Sequence, residues 1–266
     1  MSQRDVTERT PHVSSDDWNR HWSAFGDAVS GNPATVWRGR LIDERLGEVR
    51  DGAVLLEAGC GQGEYTLHLA ERFPRADVRG VDASAEGVER GRISARMRGL
   101  SIRFEQRDLM VAGDISKDDR GRASVAVCSE VLEHLDDPGL ALRNLAEYLE
   151  PGGRLVVTVP GGPRSAFDHH IGHRRHFRAR RLRQLLNDSG FCDVEVERAG
   201  FPFFNLYRLV VLLRGKRLIK DTDESDIHRG AAGATLRFFG WTFGHTLRSC
   251  PFGWQLIAVA NRSSAP

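Results

Sequence analysis

The sequence is poor in cysteine, and its first residues show no apolar stretch. Its 266 residues include four cysteines, which form neither a Cys-x-x-Cys pair nor the dense framework of a small secreted protein. The first ten residues, MSQRDVTERT, are polar and charged, whereas a secretory signal would continue into an apolar stretch. These two absences predict a reduced, cytoplasmic protein.

Neither an excess of charge nor a long apolar run is present. The 38 basic and 36 acidic residues leave a net charge of +2, which gives no reason to expect a nucleic-acid partner. The longest apolar stretch, 201–213, is interrupted by Asn205 and Arg208 and is too short to cross a bilayer. We therefore expect no transmembrane segment.

Short apolar runs alternate with longer amphipathic segments from residue 53 onward. This alternation predicts an α/β domain with a parallel sheet and helices on both faces. Helices are expected after Glu64, Ala85 and Pro138, and Gly152 and Gly153 are interpreted as the end of the last of these. The candidate strands of this region are 53–59, 76–83, 101–108, 124–130 and 153–160.

The flanking segments suggest the organisation of the whole chain. Residues 1–15 are expected to form a flexible tail, and 16–266 a single domain. Within that domain we predict a helical cap (16–50), a core (51–200) and a helical insertion or lid (201–251). A last strand (252–262), antiparallel and at the sheet edge, completes the pattern.

A glycine-rich loop follows the first predicted strand. In LLEAGCGQGEYT, Gly59, Gly61 and Gly63 let the backbone turn sharply and approach a ligand closely. A dinucleotide-binding loop would carry its third glycine at position 64, which is Glu64, and the lysine of a P-loop is missing. The three glycines are therefore candidates for binding a different cofactor.

Acidic residues accompany the first three predicted strands. Asp82 ends the second strand, where a carboxylate can accept hydrogen bonds from both hydroxyls of a ribose. Asp108 ends the third and could accept one from an adenine amine, while Glu57 could oppose an ammonium group. The ligand that these residues describe has a ribose, an adenine and an ammonium, with no obligatory phosphate.

The run from Val54 to Pro160 resembles the class I S-adenosylmethionine-dependent methyltransferases. The matching pieces are LLEAGCGQG, RGVDAS, RDL, CSEVLEHLDDP and LEPGGRLVVTVP, and they are most similar to ubiquinone-biosynthesis and related small-molecule enzymes. The resemblance implies a Rossmann-like seven-stranded sheet of order 3-2-1-4-5-7-6 and S-adenosylmethionine as cofactor. It also implies a set of cofactor-binding residues: Glu57, Gly59, Gly61, Asp82, Asp108 and Leu109.

The segment SEVLEHLDDP offers one candidate catalytic cluster. Glu130, Glu133 and His134 would share one face of a helical turn, and two carboxylates and an imidazole can bind a divalent ion. The spacing resembles the metal-binding segment of small-RNA 2′-O-methyltransferases. The sequence EVLEH also occurs in methyltransferases that use no metal, where it anchors a helix. We favour the metal-free interpretation, in which activity survives EDTA.

The segment DHHIGHRRHF offers a second cluster. Because it follows the fifth strand, its histidines can overhang the ligand-binding edge, and an imidazole near neutral pKa suits removal of a proton. His173 and His176 are the preferred general bases, with His134 as a third candidate. The alternative is a solvated loop whose histidines cap the next helix.

The acceptor is less well defined than the cofactor. The stretch 201–220 could roof an apolar pocket, form an oligomer contact or touch a membrane surface, and Trp18, His21 and Trp22 could form a lid. We expect methyl transfer to an oxygen or nitrogen of a small, apolar or aromatic molecule. The alternatives are a metal-assisted RNA ribose methyltransferase and a cyclase-like protein that binds the cofactor without transferring its methyl group.

Overall fold

The computed structural model describes residues 18–19, 32–223 and 238–264, without the side chains of 215–223. The predicted tail (1–15), His21 and Trp22 lie outside these residues.

One seven-stranded sheet organises the chain, in the order β3-β2-β1-β4-β5-β7-β6. The order implied by the resemblance is confirmed. Strands β1 to β5 run parallel, and β7 runs antiparallel to both of its neighbours. The strands are β1 (Val54–Ala58), β2 (Asp77–Asp82), β3 (Ile102–Gln106), β4 (Ala123–Ser129), β5 (Leu149–Pro160), β6 (Phe191–Ala199) and β7 (Gln255–Arg262).

The expectation that the last strand lies at the sheet edge is wrong. β7 lies between β5 and β6, and it is apolar on both faces because Leu256, Ile257 and Ala258 are all buried. A strand covered on both faces reads as a continuous apolar run, which is typical of an interior position.

The helices connect the strands and cover both faces of the sheet. They are α1 (Pro33–Asp43), α2 (Glu64–Arg72), α3 (Ala85–Arg98), α4 (Pro138–Ala146), α5 (Ala166–His170), α6 (Ala179–Asp188) and α7 (Phe203–Asp223). Gly152 and Gly153 do not end a helix, as predicted, because α4 ends at Ala146 and both glycines lie within β5. There the register against β4 shifts between Ala123 and Val125, and Gly152 has a φ of 77°.

Alternating side chains divide the core into two layers. Leu56 and Leu155 pack on one face with Leu142 of α4 and Leu182 of α6. The neighbouring side chains Leu55 and Val156 point to the other face, against α1 and α7. On that face Trp37 and Phe204 stack with ring centroids 4.7 Å apart, so the helices before β1 and after β6 share one layer.

The described part of the segment between β6 and β7 is helical over 203–223 and 238–245 and forms turns and irregular chain over 246–254. It contains α7 and a short 3-10 helix, Phe243–His245. None of the helices searched in the described residues has both the length and the apolar character needed to cross a membrane.

Candidate active site

A pocket opens at the carboxyl ends of the parallel strands. β1 pairs with β2 on one side and with β4 on the other, so the direction of chain progression reverses there. Such a switch point leaves a crevice in which open α/β sheets bind their ligands. The pocket is lined by residues at or just after the carboxyl ends of β1 to β4. Trp18 and four residues of α1 complete the lining: Thr35, Arg38, Gly39 and Ile42.

The glycine loop after β1 needs its glycines for two different reasons. Gly59 and Gly61 line the pocket with φ angles of 73° and 53°, and a Cβ added to Gly59 would lie 2.3 Å from Val131 Cγ2. Gly63 precedes α2 with a φ of 82°, and a Cβ there would lie 2.6 Å from Phe104 Cζ. Gly63 is not among the described pocket-lining residues, so its contact is with the core.

Asp82 is fixed at the tip of β2 by backbone donors. The N–H of Gly61 donates to Oδ2 at 2.7 Å, and the N–H of Ser84 donates to Oδ1 at 2.8 Å. Each carboxylate oxygen can accept a further hydrogen bond, which leaves capacity for two ligand hydroxyls. Burial raises the pKa of Asp82, and the backbone donors oppose that effect.

Glu57 is a buried carboxyl group in β1, two residues before the first glycine of the loop. It lines the pocket and accepts a short hydrogen bond from the hydroxyl of Thr66. Burial raises its pKa to about 8. A cationic group bound beside Glu57 would stabilise its ionised form, as expected for an ammonium-binding carboxylate.

Asp108 and Leu109, which follow β3, also line the pocket. The N–H of Met110 donates to Asp108 Oδ1 at 2.8 Å, and the amide of Asn144 donates to the Leu109 carbonyl at 2.7 Å. The structure thus brings six of the seven predicted cofactor residues to one pocket, and Gly63 stands behind it.

Arg38 is a pocket residue that the sequence analysis missed. It extends from α1, donates to Thr35 Oγ1 at 3.3 Å, and lies 3.9 Å from Glu130 Oε2. No local signal distinguished it, because arginine is frequent throughout the chain. It places a permanent positive charge in a pocket that is otherwise rich in carboxyl groups.

The three candidate histidines form a row, of which only one lines the pocket among the described residues. His134 lies at the pocket wall, with its ring 4.9 Å from Trp18 on one side and 4.6 Å from His173 on the other. His173 and His176 stand behind it, with Nδ1 of His173 3.2 Å from Nε2 of His176. Burial lowers the pKa of both, so both are neutral near pH 7.

Glu130 and Glu133 do not share a helical face. Residues 130–136 form turns, because Glu130 adopts a left-handed φ of 56° directly after β4. Glu130 faces the pocket and accepts hydrogen bonds from Gln255 and Thr158 at 2.8 and 3.2 Å. Glu133 points away from it into the interior, towards His134 and His173. The predicted group of Glu130, Glu133 and His134 is therefore divided.

The insertion does not roof the pocket with any residue that the structure describes between 201 and 251. Phe204 and Phe243 instead pack against Trp37, with Phe239 beside them. Trp18 and residues of α1 contribute to the pocket lining instead, and the role of Trp18 as a lid stays a prediction.

A sequence model of the methyltransferase-domain family matches residues 37–196. The chain belongs to this family. The resemblance to the class I S-adenosylmethionine-dependent methyltransferases is thereby confirmed. The trans-aconitate 2-methyltransferase of Deinococcus radiodurans is 35% identical over 158 residues, which cover 59% of this chain and 53% of the relative. A ubiquinone biosynthesis O-methyltransferase of Acinetobacter baumannii is 30% identical over 149 residues, covering 56% and 59%.

This methyltransferase domain also resembles solved structures in its fold. The phosphoethanolamine N-methyltransferase 2 of Haemonchus contortus, solved with S-adenosyl-L-methionine, matches 99% of this chain and 60% of its own, with a TM-score of 0.61 and 17% identity. The [4+2]-cyclase SpnF matches 93% and 96%, with a TM-score of 0.61 and 20% identity. The curated relatives above are matched over little more than half of their length.

Proposed function

We propose that the protein transfers the methyl group of S-adenosylmethionine to an oxygen or nitrogen nucleophile of a small, apolar or aromatic molecule. The observation that carries this proposal is the placement of Glu57, Asp82 and Asp108 around the glycine loop. The three carboxyl groups there offer acceptors for an ammonium, a ribose and an adenine amine, and the loop lacks the third glycine of a dinucleotide-binding motif because position 64 is Glu64.

Each part of the cofactor has a partner of matching chemistry in the pocket. Asp82 has the spare acceptor capacity for the ribose hydroxyls, and Asp108 and Leu109, which line the same pocket, would hold the adenine. Glu57 would oppose the ammonium of the methionine part. The methionine part also carries a carboxylate. Arg38 would supply the positive charge that this carboxylate requires, because α1 places its guanidinium in the pocket.

The acceptor would react on the His134 side of the pocket. When bound, S-adenosylmethionine supplies an electrophilic methyl carbon whose bond to sulfur breaks as the bond to the nucleophile forms. The protein aligns the two molecules and provides for loss of the acceptor's proton. We propose that His134 contacts the acceptor and that His173 and His176 support it from behind.

An apolar acceptor is supported by the rings that border the pocket. Trp18 and Tyr65 line it together with Ile42, Val131 and Leu135. One of the two curated relatives is named as an O-methyltransferase, which specifies transfer to oxygen in that protein. We therefore favour a hydroxyl or carboxyl acceptor over an amine.

Calorimetry with S-adenosylhomocysteine and with NAD tests the cofactor assignment. We expect micromolar binding of S-adenosylhomocysteine, and NAD binding in its place would contradict the proposal. Labelled S-adenosylmethionine with a panel of phenols, quinol precursors, amines and short RNA then tests the acceptor. Transfer to RNA alone would favour the RNA ribose methyltransferase, and cofactor binding without transfer to any acceptor would favour the cyclase-like alternative.

A further inference from the structure

Three buried side chains from two distant segments converge behind the pocket wall. Glu133 and His134 follow β4, whereas His173 belongs to the loop after α5. Each offers one ligand atom, and these atoms all lie within 4.8 Å of one another. We propose that Glu133, His134 and His173 bind a divalent transition-metal ion at the acceptor side of the pocket. This proposal replaces the sequence-based expectation that no metal takes part.

The state of Glu133 supports the proposal independently of the distances. Its side chain is completely buried, and neither carboxylate oxygen has a hydrogen-bond partner among the described residues. A buried polar group without a partner is costly, so native proteins rarely retain one that serves no purpose. A cation between Glu133 and the two imidazoles would satisfy it.

Hydrogen bonds behind His173 leave one of its nitrogens available as a ligand. The carbonyl of Gly162 can only accept, so its 3.2 Å contact with His176 places a proton on Nδ1 of His176. Nε2 of His176 then accepts from Nδ1 of His173, 3.2 Å away. The tautomer of His173 that results carries its lone pair on Nε2. A metal-binding histidine is commonly oriented in this way by an acceptor on its second nitrogen.

The backbone fixes the two segments against each other. The N–H of Arg174 donates to the Glu133 carbonyl at 2.9 Å, and its guanidinium donates to the His134 carbonyl at 2.6 Å. The position of His173 relative to Glu133 and His134 is thus set by the adjoining residue. The backbone thus holds the three ligands together, and their side chains need only close from within 4.8 Å of one another to coordinate one ion.

The ligand types indicate which ions fit. Two imidazoles and one carboxylate suit zinc, manganese, cobalt or iron better than calcium, which prefers oxygen ligands alone. Three protein ligands leave a coordination position open, as in catalytic sites. His134 also lines the pocket, so an oxygen of the acceptor could approach the open position. This role rests on the proposed function, whereas binding of the ion does not.

Cobalt(II) chloride titrated into the full-length, chelator-treated protein tests the site through the visible absorption of the bound ion. We expect one equivalent to produce the band. Glu133→Gln and His173→Gln should each weaken binding at least about tenfold, because each removes a ligand from a set of three. His169→Ala, an exposed histidine on α5, is the matched control and should bind cobalt like the unsubstituted protein.

Thermal unfolding and calorimetry with S-adenosylhomocysteine complete the experiment. Cobalt should raise the melting temperature of the unsubstituted protein and of His169→Ala, but not that of Glu133→Gln. The proposal is overturned if no band forms, or if both ligand variants bind cobalt as tightly as the control. If cobalt binding fails but the unsubstituted protein still binds S-adenosylhomocysteine, the proposed function is unaffected. If the unsubstituted protein does not bind S-adenosylhomocysteine, the proposed function is refuted whether or not cobalt binds.

Discussion

At Asp82, a single side chain both shapes the glycine loop and faces the pocket. Substituting Asp82→Asn retains an acceptor but removes the charge and one acceptor oxygen. We expect the affinity for S-adenosylhomocysteine, measured by calorimetry, to fall by about 1 to 3 kcal/mol, the usual effect of losing a charge-assisted hydrogen bond. Asp77→Asn, at the opposite end of β2, should leave the affinity unchanged. An equal affinity in both variants would place the ribose contact elsewhere.

The cofactor residues could be predicted from the sequence because each is tied to a strand end. Asp82 is the last residue of β2 and Asp108 follows β3, and parallel strands bring such residues to one edge. The association of His173 with Glu133 could not be predicted in this way. It depends on how the loop after α5 folds back, which the contacts of Arg174 with the carbonyls of Glu133 and His134 determine.

In the turn from β1 into α2, the steric cost of a side chain at Gly59 can be measured against Gly52, which precedes β1. Gly59 and Gly52 have nearly equal φ angles, 73° and 76°, but an added Cβ at Gly52 meets nothing within 4 Å. Gly52→Ala should therefore cost only the left-handed strain, about 1 to 2 kcal/mol. Gly59→Ala should cost about 1 to 3 kcal/mol more, because its Cβ overlaps Val131. Urea unfolding measures both, and equal losses would show that Val131 moves aside.

The contact between α1 and α2 is predicted to depend on pH. His68 Nε2 lies 2.9 Å from Asp43 Oδ2, and this hydrogen bond raises the pKa of His68 above its ordinary value of 6.5. A raised pKa in the folded state means that the stabilisation is complete below the unfolded pKa and is lost as pH rises through the folded one. NMR titration should find a lower His68 pKa in Asp43→Asn.

A suitable control for that titration is Asp51→Asn, which alters an exposed carboxylate paired with Arg75. It should leave the His68 titration where it is. If Asp43→Asn also leaves the curve unmoved, the histidine does not share its proton with Asp43, and the junction of the two helices would be insensitive to pH.

The helix α7 carries apolar side chains on its exposed face. Leu206, Leu209 and Leu213 are exposed along the helix, while Phe204 and Val211 are buried. This pattern explains why the sequence did not determine the role of the segment, since the helix is apolar on both its covered and its exposed sides. An oligomer contact or a peripheral membrane contact through 201–220 stays a prediction.

For the molecule as a whole, the pocket draws on four strands and on the cap, so its ligand should stabilise the entire domain. S-adenosylhomocysteine at about 100 times its dissociation constant should raise the free energy of unfolding by about 2.7 kcal/mol, because it binds only the folded chain. Chemical denaturation with and without the ligand measures this increase. NAD at the same concentration is the control, and equal stabilisation by both would argue against the assigned cofactor.

Much of the architecture was predictable from the sequence, partly from its apolar periodicity and partly from its resemblance to a known family. The strand positions came from apolar runs, and β1 to β4 were placed within two residues of their observed ends. The strand order came from the resemblance, because periodicity alone placed β7 at the edge. Periodicity also missed the first four residues of β5, where Pro151 and Gly152 belong to an irregular strand that local rules assign to a helix end.

The place of β7 in the sheet has a consequence for synthesis on the ribosome. In the described residues, β6 pairs with the sheet through β7. The ribosome synthesises β7 more than fifty residues after β6, when α7 is already complete. While the chain is still growing, β5 therefore presents an unpaired edge, and β6 waits without a neighbour. Exposed strand edges of this kind are the points at which nascent chains associate wrongly. Translation speed through 200–255 should thus influence the yield of native protein.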